Sequence, residues 1–163
     1  MTNTNVKRYI AQIQQLYYGQ SWLDEDFEKK LKLLNEETAF IRPGGYIHSV
    51  AEVVSHIVEW RKDLIERFRS GNRNTLKMDS PLNWRDNESL RLDGWAMLME
   101  SLSKSQIELV KLLEQKDDDF LNRKWRDDDT YDWLIAGLIQ HDAYHLGQIG
   151  LIYKMMIKDH GPA

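Results

Sequence analysis

Apolar residues recur at three- and four-residue steps along most of this chain, the spacing that lines one face of a helix. Over residues 5–19 they form a single stripe of Val6, Tyr9, Ile10, Ile13, Leu16 and Tyr17. Residues 21–45 are less regular. Phe27, Leu31 and Leu34 predict a short helix there, with Pro43-Gly44-Gly45 as its stop. Ser49-Val50-Ala51-Glu52 then reads as a capping box, in which the Ser49 hydroxyl and the Glu52 carboxylate satisfy orphan N–H groups reciprocally. The helix it opens should run to about Ser70 and stop at Gly71-Asn72, with Val50, Val53, Val54, Ile57, Leu64, Ile65 and Phe68 inward. Residues 71–87, containing Gly71, Pro81 and several Asn, read as a long ordered loop.

A third long helix is expected over 88–115, burying Trp95, Leu98, Leu102, Leu109, Val110 and Leu113. Residues 117–129 read as an acidic connection. The last helix starts near Asp129 or Thr130, where Asp129 and Asp132 suit the positive end of the helix dipole, and runs to about Lys158. Strand-like alternation and internal repeats are both absent, so the pattern predicts an all-α, four-helix bundle forming one domain over 1–163.

Composition narrows the setting. The chain has 163 residues, 42% of them apolar, and a net charge of -4. That length can bury roughly 68–70% of the unfolded surface. No apolar run approaches the ~20 residues of a membrane helix, and Met1 to Lys7 lacks the apolar block of a secretory signal, so a cytoplasmic protein without membrane contact is expected. Lys and Arg are dispersed, which gives nucleic acid no basic patch to bind. The chain has no cysteine. Any metal must therefore be held by nitrogen and oxygen, and any nucleophilic thiol must come from outside the protein.

The candidate chemistry lies in the run His141-Asp142-Ala143-Tyr144-His145-Leu146-Gly147-Gln148. Four residues apart on a helix, His141 and His145 sit on one face, in the row Leu134, Leu138, His141, His145, Gln148, Ile152. A histidine on an apolar face is ordinarily a hydrogen-bonded core residue. Two in one apolar row, however, are costly unless they share a partner. His56 has a comparable setting on the second long helix, in the row Val53–His56–Trp60. Three imidazoles from two helices can hold a divalent ion and leave a coordination position open. His48, ahead of the capping box, and His160, in the tail, have no such setting.

Other readings fail or stay open. His141-Asp142-x-x-His145 imitates the metalloprotease pattern, but Asp is a methylene shorter than Glu, and downstream only Asp159 and His160 offer a further ligand. The runs Asp117–Asp119 and Asp127–Asp129 lack the ligand spacing and glycine of a calcium loop and read as solvated. Trp60 and Trp133 are each placed to wall a pocket or simply to fill the core. Gln148 can orient a ligand or satisfy a polar neighbour. Glu59 and Asp142 can reach imidazole N–H groups, although both read as surface residues.

With His56, Trp60, the Ser49 cap and His-x-x-x-His-x-x-Gln closing the chain, the sequence resembles the DinB-like (YfiT-like) metal-dependent four-helix proteins over nearly its whole length. The resemblance implies an up-down-down-up bundle, frequently a homodimer. It also implies that His56, His141 and His145 hold nickel, zinc or another divalent ion. Characterised relatives include enzymes that use low-molecular-weight thiols, conjugating them to an electrophile or isomerising a substrate through a thiol adduct, while many members have no known reaction. The expected function is thus a metal-dependent transferase or hydrolase acting on a small-molecule electrophile, through a metal-bound thiol or water assisted by Gln148. A metal-stabilised bundle serving as a binding or stress-response interaction protein is the alternative, and a vestigial site on a scaffold for an apolar ligand is a third.

Overall fold

The structure, a computed structural model, describes residues 3–71 and 76–160, without the side chains of residues 159 and 160. The side chains of Asp159 and His160, and the helix-stop residue Asn72, therefore lie outside what is described. Among the described residues the protein is all-α apart from one small hairpin. In chain order the elements are α1 (Thr4–Tyr18), α2 (Phe27–Leu31), a 3-10 turn (Pro43–Gly45), α3 (Val50–Ser70), α4 (Asn87–Asp93), α5 (Trp95–Glu114), α6 (Asp118–Leu121), β1 (Lys124–Arg126), β2 (Asp129–Thr130) and α7 (Tyr131–His160). Of the four long helices, α3 packs on α5 and α7, and α1 packs on the same two. Among the described residues no helix is long and apolar enough to cross a membrane.

The capping box forms as the sequence requires. Ser49 Oγ accepts from the Glu52 N–H at 3.2 Å, and the Glu52 carboxylate accepts from the Ser49 N–H at 2.8 Å. Arg42 pairs with the same Glu52. The capped end of α3 is thereby fixed against the preceding loop, two turns before His56.

Three expectations need correction. First, the short helix α2 ends at Leu31, well ahead of Pro43, which instead opens the 3-10 turn. Second, the third long helix is broken. Gly94 adopts φ +84 between α4 and α5, and the freed Trp95 N–H donates to Glu36 Oε2 at 2.8 Å. Third, the acidic connection is structured. Asp117 caps α6 through the Phe120 N–H, while Asp118 Oδ1 accepts from the Asn5 and Val6 N–H groups at 3.0 Å each, satisfying the start of α1. The β1–β2 hairpin beyond it buries Trp125.

The interior holds two apolar clusters. One gathers Leu16, Phe27, Ile57, Leu102, Leu146 and Ile149 with their neighbours. The other gathers Val6, Ile13, Leu64, Leu109, Phe120, Tyr131, Ile135 and Leu138 with theirs. Between their members on α3, α5 and α7 sit Arg61, Gln106 and Asp142, all fully or almost fully buried. A polar layer therefore crosses the middle of the molecule.

Candidate metal centre

The polar layer continues into a cluster of imidazoles. α3 delivers His56, and successive turns of α7 deliver His141 and His145. His141 Nε2 lies 3.0 Å from His56 Nε2 and 3.1 Å from His145 Nε2, and one nitrogen from each ring falls within 4.8 Å of the others. Nitrogen ligands at 2.0–2.1 Å in a tetrahedral site stand ~3.3 Å apart. The three rings thus already have nearly the spacing of a ligand set.

Their hydrogen bonds show which nitrogens remain for a shared partner. His56 Nδ1–H donates to the Asn83 carbonyl at 2.7 Å, and His145 Nδ1–H donates to Gln148 Oε1 at 2.7 Å. A neutral imidazole has one N–H, so both Nε2 atoms are left as lone-pair acceptors aimed at His141. His141 Nε2 could satisfy one of them as a donor, but not both. A cation among the three nitrogens removes the conflict. The remaining ring nitrogen, His141 Nδ1, is buried without a hydrogen-bond partner, as is Asp142 Oδ1, 3.7 Å away.

Burial sets the protonation state. It pulls the His56 imidazole below its ordinary range, against the Asn83 carbonyl, which favours the charged ring. Burial likewise lowers His145, aided by the neighbouring His141, to about 4. Both rings are held neutral, the form that binds a metal.

Aromatic residues surround the cluster. Trp84 stacks on His56 at 4.0 Å and on His48 at 4.1 Å. Asn83, also buried, accepts from Trp60 Nε1 at 2.9 Å while its carbonyl holds His56. On one side a cleft of about 590 Å³ opens, lined by Trp60, Leu64, Trp125, Trp133, Leu138 and, alone among the three histidines, His141.

His56, His141 and His145 converge, Trp60 and Trp133 wall the cleft, and Gln148 satisfies and orients His145. Glu59 pairs with Lys62 and takes no part. Asp142 is not a surface residue: Arg61 draws it into the core, where it is 1% exposed. His48, set aside earlier, joins the surround through Trp84. Arg61, Gln106, Asn83 and Trp84 were not anticipated. Arg61 and Gln106 carried a readable signal, since each occupies an inward position of its helix, Ile57–Arg61–Leu64 and Leu102–Gln106–Leu109. Asn83 and Trp84 lie in a loop without periodicity and carried none.

An all-α protein with two helices presenting three histidines that could hold a divalent ion is what the fold and the site define. The model of the DinB superfamily matches residues 21–149, which include all three histidines, and the chain belongs to that superfamily. No curated protein and no solved structure matches it.

Proposed function

We propose that this protein is a divalent-metal-dependent enzyme, built as an up-down-down-up helical bundle, that joins a small thiol or water to a small electrophile. The observation that carries this reading is the convergence of three Nε2 atoms beside a cleft that, of the three rings, His141 lines. Nickel or zinc held by His56, His141 and His145 would favour the thiolate of a coordinated thiol, or lower the pKa of coordinated water to about 7. Because the chain has no cysteine, a thiol nucleophile would be a separate small molecule.

The protein's own residues do the positioning. Asn83 and Gln148 fix the rings of His56 and His145, and Trp60, Trp125 and Trp133 give an apolar substrate a wall that excludes water. We further propose a cytoplasmic homodimer; the exposed Leu23 and Leu151, which share a groove with Gly147 and Gly150, support a contact there.

Elemental analysis of the purified protein should find a divalent metal, lost in His56→Ala, His141→Ala and His145→Ala while the helices persist. Metal-loaded protein should then turn over a thiol with an electrophile, or hydrolyse an activated ester, only in the loaded form. Unchanged metal content in the variants would defeat the site. Full loading without turnover across several thiols, electrophiles and esters would move the protein to the binding class.

A further inference from the structure

Arg61 carries a permanent charge into the centre of the molecule with no solvent exposure. Its Nε and Nη2 donate to Asp142 Oδ2 at 3.1 and 2.7 Å, and its Nη1 donates to Gln106 Oε1 at 2.9 Å. The guanidinium also lies over Tyr17 and Phe27, 5.9 and 5.7 Å from their ring centroids. Such a pair is a poor source of stability, since well-packed apolar residues of similar volume often serve as well or better. Its position needs another reason.

The unused oxygen supplies one. Both bonds from Arg61 fall on Oδ2, leaving Asp142 Oδ1 buried without a hydrogen bond, 3.7 Å from His141 Nδ1, which is also buried and without one. His56 and His145 each donate their Nδ1–H hydrogen bond to a neutral acceptor, a carbonyl and an amide. His141, the ring that lines the cleft, faces a carboxylate instead.

We infer that the Arg61–Asp142 pair is a positioning device for His141. Arg61 fixes the Asp142 carboxylate with Oδ1 placed to accept the hydrogen bond of His141 Nδ1–H. That holds the ring in the tautomer whose Nε2 lone pair points at the other two histidines. An acidic partner also makes the imidazole a stronger donor to a metal, and loss of such a partner typically weakens metal binding about 10–100-fold. Asp142 and Arg61 are therefore positioning residues that act through His141. The inference rests on the three-histidine site proposed above.

Zn²⁺ affinity of the full chain, measured by competition with a chromophoric chelator, tests it in three proteins: the parent, Asp142→Asn, and the double variant Arg61→Met/Asp142→Leu. The double variant replaces the whole charged pair with apolar bulk, so it separates a structural role from a positioning one. Both variants should keep a cooperative thermal transition and lose about 10–100-fold in Zn²⁺ affinity. In the Zn²⁺-loaded parent, proton–nitrogen NMR should show a slowly exchanging Nδ1 proton on His141 that the double variant lacks. If the folded double variant binds Zn²⁺ as the parent does, the pair is structural and the inference is overturned. If the parent itself binds no Zn²⁺, Ni²⁺ or Co²⁺, the three-histidine reading fails first and the positioning role fails with it.

Discussion

At the scale of single residues, the site is governed by where each imidazole proton goes. Gln148 is the simplest case, because its side-chain oxygen accepts the hydrogen bond of His145 Nδ1–H and leaves Nε2 free. Gln148→Leu should keep the packing, remove the acceptor and weaken Zn²⁺ binding about tenfold, the low end for a lost partner of a ligating histidine. Unaltered affinity by chelator competition would sink that claim. Burial of His145 has a second consequence in the metal-free protein. Folding lowers its pKa from 6.5 to about 4. Between those values the unfolded chain binds a proton that the native state refuses, so native stability falls as pH falls through that window. Above pH 6.5 this residue adds no pH dependence. At 1.36 kcal/mol per pKa unit, the loss is on the order of 3 kcal/mol by pH 4. Urea unfolding of metal-free protein at pH 7 and pH 4.5 should show it. His145→Phe should lack that increment, which separates it from carboxylates, such as Glu52, that also titrate in acid. Equal pH dependence in the parent and the Phe variant would rule out the burial argument.

At the scale of elements, the four long helices were legible because each carries an apolar stripe over many turns, and α3 also announces its start with Ser49 and Glu52. What was missed depends on partners distant in sequence. The α4–α5 break was hidden by apolar residues at helical spacing on both sides of it, Leu90, Trp95 and Leu98, and only φ +84 at Gly94 reveals the bend. The β1–β2 hairpin is too short for alternation to register, with one buried residue, Trp125, between exposed Lys124 and Arg126. Asp118 caps α1 from across the chain, which no local pattern encodes. The three histidines were readable from their helical rows, whereas the acceptors that orient two of them come from a loop carbonyl and an amide one turn away. Gly94 gives the test at this scale. A Cβ there would approach nothing nearer than the Glu36 carboxylate, at 3.7 Å, so steric clash is minor and the cost is backbone strain. Gly94→Ala should destabilise the protein by about 1–2 kcal/mol. The denaturation midpoint should fall without loss of helical signal. A midpoint at or above the parent's would mean that the bend relaxes freely into one continuous helix.

At the scale of the whole molecule, the two apolar clusters and the layer between them divide stability from chemistry. Leu102, Ile57 and Ile149 on one side, and Ile135, Leu109 and Leu113 on the other, are all at 0% exposure, so each end of the fold has its own buried contacts. His141 and His145 sit in the layer between, and His56 meets them from the stretch of α3 that also feeds the first cluster. The fold should therefore persist without metal, and an ion that binds only the folded state should add stability by mass action. At a free ion concentration one hundred times its Kd the gain is about 2.7 kcal/mol. A domain of this size gains roughly 2–4 °C per kcal/mol, so the midpoint should rise by about 5–10 °C. It should continue to rise with the logarithm of ion concentration. Calorimetry of chelator-stripped protein titrated with Zn²⁺ or Ni²⁺ checks the slope. The triple variant His56→Ala/His141→Ala/His145→Ala should unfold cooperatively and show no such rise, because its apolar clusters are untouched while the shared ligand set is gone. An equal rise in the triple variant would place the binding elsewhere on the surface. A triple variant that never folds would mean that the layer, and not the clusters alone, holds the two ends together.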